Sequence, residues 1–160
     1  MGSLEQEGVL FTIAQIAITI IGLSGIVLFL GERTKLKLSK TEHIRIFSLI
    51  STPLLALFAS FFPILLFEVL RDQNTAWHLS NGILATLHLY PITSWVLTTG
   101  GHKTLGNWTT VGLGYMTILA HYLAAFGVLP WKEAVYIYGL LWLIFIGVYS
   151  FLQLFQLEDK

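Results

Sequence analysis

The sequence contains no cysteine and very little charge. Without thiols there is no disulfide, no thiolate metal site and no cysteine nucleophile or redox couple. Only 11% of the 160 residues are charged, where a soluble domain carries roughly 25%. Nine basic residues balance nine acidic ones, so no net field draws in a nucleic acid. Glu68 is the one acidic residue within an apolar segment. There is no Gly-rich phosphate loop, no His-Glu-x-x-His and no Ser/His/Asp set to assemble, so we expect a protein that is not an enzyme and holds no metal. Glu5 and Glu7 stand where a signal peptide would carry Lys or Arg, and Gln6 where myristoylation would need Ser or Thr.

What is present is apolar. Hydrophobic residues make up 55% of the chain, and its mean hydropathy is +0.74. Five apolar segments stand apart, at about 9–30, 44–70, 77–99, 108–128 and 134–157. Each is long enough to cross a hydrocarbon core of about 30 Å at about 1.5 Å per helical residue. Backbone groups in lipid must bond to one another, so each segment is expected to be helical despite Pro53, Pro63 and Pro91. The expectation is an all-α, polytopic transmembrane bundle of about five membrane-spanning helices in one domain, 1–160. Ser39 and Glu42 fit a capping box at the start of the second helix. The fourth segment is the most diluted, by Thr109, Thr110, Gly112, Gly114, Thr117 and His121, and the fourth helix is expected to stop at Pro130.

Charge sets the expected orientation. Arg33, Lys35, Lys37, Lys40, Arg45, Lys103 and Lys160 fall on one side of such a bundle, and only Arg71 and Lys132 on the other. The basic side is cytoplasmic by the positive-inside rule, which puts loop 31–43 and the C-terminus inside and the N-terminus outside. Trp77 and Trp131 are then expected at the outer interface and Trp108 at the inner one. The lipid bilayer is the expected environment. Arg33, Lys35, Lys37 and Lys40 are candidates for binding anionic lipid.

Three groups of residues are candidate sites. On the first helix Thr12, Gln15, Thr19 and Gly22 share one stripe, which reads either as close helix packing or as the lining of a pore or cavity. On the second helix Ser48 and Thr52 share a face with Arg45. Pro53 and Pro63 there free the carbonyls of Leu49 and Ala59, either for a cation or for a neighbouring hydroxyl. The third group is His88 and His121, which antiparallel neighbours would bring to similar depth. They read as hydrogen-bonded structural residues, as a proton-sensitive gate or relay, or as haem ligands. Glu68 and Arg71, three apart, are expected to pair.

In length and helix count the chain resembles the tryptophan-rich translocator proteins, which are five-helix membrane proteins. It lacks their motifs: no Trp precedes Trp77 and no Trp-x-Pro occurs. The opening, from Glu7-Gly8 into Ile20-Ile21-Gly22-Leu23-Ser24-Gly25, resembles small bacterial membrane proteins and implies an inner (plasma) membrane location. The functional expectation is a small integral membrane protein that self-assembles, as a homo-oligomer, into a channel or transport pore. A membrane-embedded binding or sensory module for haem or another apolar ligand is the first alternative. A structural subunit of a larger membrane complex is the second.

Overall fold

The computed structural model describes residues 4–33, 40–99 and 105–155. Among them there are six helices and no strand: α1 (Glu7–Arg33), α2 (Lys40–Ala59), α3 (Phe62–Leu70), α4 (Gln73–Thr99), α5 (Leu105–Ala125) and α6 (Lys132–Phe155). Ser39, Lys35 and Lys37 lie outside the described residues, as do the side chains of Arg33, Lys40 and Glu42.

The second apolar segment is two helices rather than one. The break falls at Ser60 and Phe61, just ahead of Pro63. Ser60 N–H still bonds Ala56 O at 2.9 Å, but Phe61 N–H bonds Phe58 O at 3.1 Å, which tightens the last turn. Pro63 has no N–H for the carbonyl of Ala59. That carbonyl instead accepts the Tyr136 hydroxyl of α6 at 2.7 Å. Of the two roles expected for the freed Ala59 carbonyl, this is the hydroxyl partner. By contrast, Pro53 and Pro91 lie inside α2 and α4 without ending them.

α5 stops earlier than expected, and Gly127 rather than Pro130 is the cause. Gly127 has φ 75°, and the amides of Gly127 and Val128 bond back to the carbonyls of Ala124 and Leu123. This is a Schellman ending, which needs a left-handed residue that glycine supplies without strain. At the other turn Arg71, with φ 55°, closes α3, and its side chain pairs with Glu68 at 2.9 Å as expected. Asp72 then caps α4, its carboxylate accepting the amide of Thr75 at 2.9 Å.

α6 is the centre of the bundle. It packs on α1, α2, α4 and α5, most extensively on α2, while α4 packs mainly on α5. Leu10, Ile13 and Ala17 of α1, Ala56 and Ala59 of α2, and Leu84 of α4 bury against Tyr136, Leu140 and Leu143 of α6. Trp77 belongs to this core. It is fully buried, edge-on to Tyr136 with centroids 5.6 Å apart, and so is not the exposed aromatic anchor expected of it. Trp108 and Trp131 are exposed.

Several polar side chains are buried while many large apolar ones are exposed. Thr52, Ser60, Ser80, Asn81, His88, Thr117, His121 and Ser150 are buried, while Val69 is 78% exposed, Met116 64% and Phe126 81%. A water-soluble surface of this size would not carry so many large apolar side chains in contiguous bands. Among the described residues three segments are both long and apolar enough to cross a membrane: Glu7–Ile26, His43–Leu70 and Lys132–Gln153. This fits a membrane protein.

Candidate functional site

Two buried imidazoles meet where α4 packs on α5. The rings of His88 and His121 are both fully buried, with centroids 5.8 Å apart and planes at 41°. Their environments differ. His121 Nδ1 lies 2.7 Å from Asn81 Oδ1. The Asn81 amide nitrogen donates to the carbonyls of Trp77 and Lys132, at 2.9 and 3.0 Å. With both amide hydrogens used, Oδ1 is left as the acceptor, so His121 Nδ1 is the nitrogen that carries hydrogen in this network. The other face of His121 meets Tyr136 edge-on at 6.2 Å. Its Nε2 lies directly against Gly139 of α6, where any Cβ would overlap it. His121 is thus held on three sides.

His88 has no such bracket. Among the described residues neither of its ring nitrogens finds a hydrogen-bond partner, although the residue is completely buried. Buried polar groups are almost always satisfied, so a side chain with both nitrogens free needs a specific explanation. Its position supplies one, because His88 lines a cleft. The walls come from four helices: Arg45, Ser48 and Thr52 of α2, Pro91 and Ile92 of α4, Thr110 and Val111 of α5, and Ile146, Tyr149, Ser150 and Gln153 of α6.

The cleft is polar on its α2 and α6 sides. Arg45 Nη1 donates to the backbone carbonyl of Gln153 at 3.2 Å, near the end of α6, where a cation also complements the helix dipole. The Thr52 hydroxyl donates to Ser48 O at 2.9 Å and so presents only lone pairs to the cleft. The hydroxyls of Ser48, Tyr149 and Ser150 make no hydrogen bond among the described residues. Tyr149 is oriented by stacking on Phe145, at 6.0 Å and 14°.

The structure therefore gathers Ser48, Thr52 and His88 around one cavity, with His121 one ring behind. It does not bring the α1 stripe to them. Thr12, Gln15, Thr19 and Gly22 all face outward. The Thr12 and Thr19 hydroxyls bond back to Gly8 O and Gln15 O of their own helix, each at 2.9 Å. The face of α1 that packs inside carries Leu10, Ile13, Ala14, Ala17 and Ser24 instead. Sequence reasoning did not select Asn81, Tyr149, Ser150 or Gln153 as site residues. The available signal was that the last three are the polar residues near the end of an otherwise apolar helix.

A haem held by both histidines does not suit this arrangement. An iron on His121 Nε2 would occupy the place of the α6 backbone at Gly139, and Nδ1 is already bonded to Asn81. Among the described residues no three His, Asp or Glu side chains cluster as metal ligands. No family model, curated protein or solved structure matches the chain.

Proposed function

We propose that the chain is a membrane-embedded binding protein. All five apolar segments cross the bilayer, and the cleft between α2, α4, α5 and α6 takes a small ligand. The observation that carries this reading is His88: fully buried, on the cleft wall, with both nitrogens unpartnered among the described residues. Crossings by α4 and α5 are supported by their lengths, 27 and 21 residues. The residues that lower their hydropathy, Asn81, His88, Thr117 and His121, turn inward, while Leu79, Tyr90, Leu113, Met116 and Leu119 face out. The split of Lys and Arg supports an inner-membrane orientation in which the Arg45 end of the cleft is cytoplasmic.

The test is nitrogen NMR of histidine-labelled protein in phosphatidylcholine nanodiscs, titrated with butanol, butyrate and butylammonium. At least one probe should move the His88 ring nitrogens saturably, with His121 moving less. If none does, the ligand-binding reading fails.

A second reading is transport, favoured by the contact between His88 and His121. These rings join the cleft to Asn81, which bonds Lys132 O at the opposite end of the bundle. Protons or a small solute would then pass through each protomer. Assembly into an oligomeric pore through the outward stripe of Thr12, Gln15, Thr19 and Gly22 is the alternative form. Proton flux into proteoliposomes that falls in His88→Gln and in His121→Gln supports the path through the protomer. Flux that survives the double variant removes it.

A further inference from the structure

We infer that the ligand of this cleft carries an oxyanion, a carboxylate or a phosphate group, seated against Arg45 with the rest of the ligand reaching toward His88. This rests on the ligand-binding reading of the cleft. Arg45 is half-buried on the cleft wall and spends one of its five N–H donors on Gln153 O. Its planar fork on the cavity wall suits the paired oxygens of an oxyanion.

Of the nine acidic residues, the five whose side chains are described lie away from Arg45. Glu68 pairs with Arg71, Asp72 caps α4, and Glu133 opens α6. Glu5 and Glu7 lie at the start of α1. All five are at the end of the bundle away from Arg45, which reaches the last turns of α6. Among the described residues no carboxylate lines the cleft, whereas the unpartnered hydroxyls of Ser48, Tyr149 and Ser150 do. One cation with several hydroxyls around it can donate to the acceptor-only oxygens of a carboxylate or phosphate, and the Arg45 charge opposes a cationic ligand at that end of the cleft. His88, buried and unpartnered, marks the far end of the same cavity.

Two sources share this chemistry, an anionic lipid head group and a soluble oxyanion. The NMR titration separates them when run in two kinds of nanodisc, phosphatidylcholine alone and phosphatidylcholine with phosphatidylglycerol. In phosphatidylcholine, butyrate should move His88 saturably while butanol and butylammonium at the same concentration do not. Butyrate affinity should fall on the order of tenfold in Arg45→Gln, and less in Arg45→Lys, which keeps the charge but loses the planar fork.

If the natural ligand is a lipid, His88 in phosphatidylglycerol discs already sits at its shifted position and butyrate has no further effect. If it is soluble, the two kinds of disc behave alike. Ser150→Ala, which leaves the Arg45 anchor on α6 intact, should weaken butyrate binding too. Equal responses to butyrate and butanol, unchanged in Arg45→Gln, would overturn the oxyanion and leave the binding cleft standing. So would butyrate binding that appears only in Glu42→Gln, since a carboxylate of the chain would then already hold Arg45. Silence from every probe would remove the binding reading itself.

Discussion

Asn81 and His121 tie α4 to α5 through a single 2.7 Å hydrogen bond, and the rest of the Asn81 amide is committed elsewhere. The bond is therefore directional: Asn81 accepts and His121 donates. It also links three helices, because the same amide reaches Lys132 at the start of α6.

Asn81→Leu should be markedly destabilising. It orphans the His121 N–H and the Lys132 carbonyl, and an unsatisfied buried group costs about 1–3 kcal/mol. Removing both partners in Asn81→Leu/His121→Leu should recover part of that loss, because the orphaned imidazole goes too. Reversible unfolding in bicelles measures all three variants. A double variant as unstable as the sum of the two singles would mean that the two side chains are not coupled.

His88→Leu should behave in the opposite way. Leucine removes two unsatisfied nitrogens from the interior, so unfolding should become harder, by about 1 kcal/mol or more. The stability gain should come with loss of the cleft response to added ligand. A clear loss of stability in the same bicelle assay would show that the fold itself depends on the imidazole.

Gly139→Ala tests the close approach of α6 to His121. The added methyl overlaps the imidazole, so the ring must leave Asn81 or the helices must part. The expected cost is about 1–3 kcal/mol, in the range of overpacked cores. Pairing it with His121→Ala, which empties the space the methyl needs, should make the glycine substitution nearly neutral. If Gly139→Ala costs the same in both backgrounds, the strain lies elsewhere.

Asp72 gives the fold an acid-sensitive cap. The hydroxyl and amide of Thr75 bond its carboxylate and hold it below the usual carboxylate range. A depressed folded value stabilises the fold above the unfolded value, near pH 4, and that contribution fades as pH falls through the folded value. Asp72→Asn keeps a capping oxygen that does not titrate. The gap in unfolding midpoint between wild type and Asp72→Asn should therefore shift against the wild type between about pH 7 and about pH 3. A gap that does not change with pH would show that the carboxylate charge is irrelevant to the cap.

Topology reporters complete the tests. Fusions within 31–43, within 100–104 and after Lys160 should all report the cytoplasm, and a fusion between Leu70 and Gln73 the outside. A reporter at 100–104 on the outer side would mean that α4 does not cross.

Hydropathy alone located four of the apolar segments as single helices, α1, α4, α5 and α6, because an apolar run long enough to bond its own backbone favours a helix. The break at Ser60 was not legible, because a proline at 63 is equally consistent with a kinked continuous helix. What decides it is the Tyr136 hydroxyl, from a residue far along the chain. Likewise the burial of Trp77 depends on Tyr136 lying beside it, which no positional rule for tryptophan contains. The histidine pair was legible, since antiparallel neighbours fix relative depth. The wall formed by Tyr149, Ser150 and Gln153 was not, because it depends on how α6 is rotated within the bundle. Small and polar periodicity on α1 marked a real face, but could not say whether that face turns in or out.

The many large apolar side chains on the outside of the bundle change what a core residue is worth. In water, Leu84 or Leu140 would stabilise the fold by leaving solvent. In the bilayer we propose for it the solvent is hydrocarbon, as apolar as leucine, so burying either would gain almost nothing by transfer. What remains is the dispersion attraction between well-fitted neighbours, which a truncated side chain no longer supplies. Truncating Leu84 should thus cost less than a soluble core would suggest. Cohesion then falls more heavily on shape and on the few directional bonds, and the Tyr136 hydroxyl on Ala59 holds more of the bundle together than its size implies.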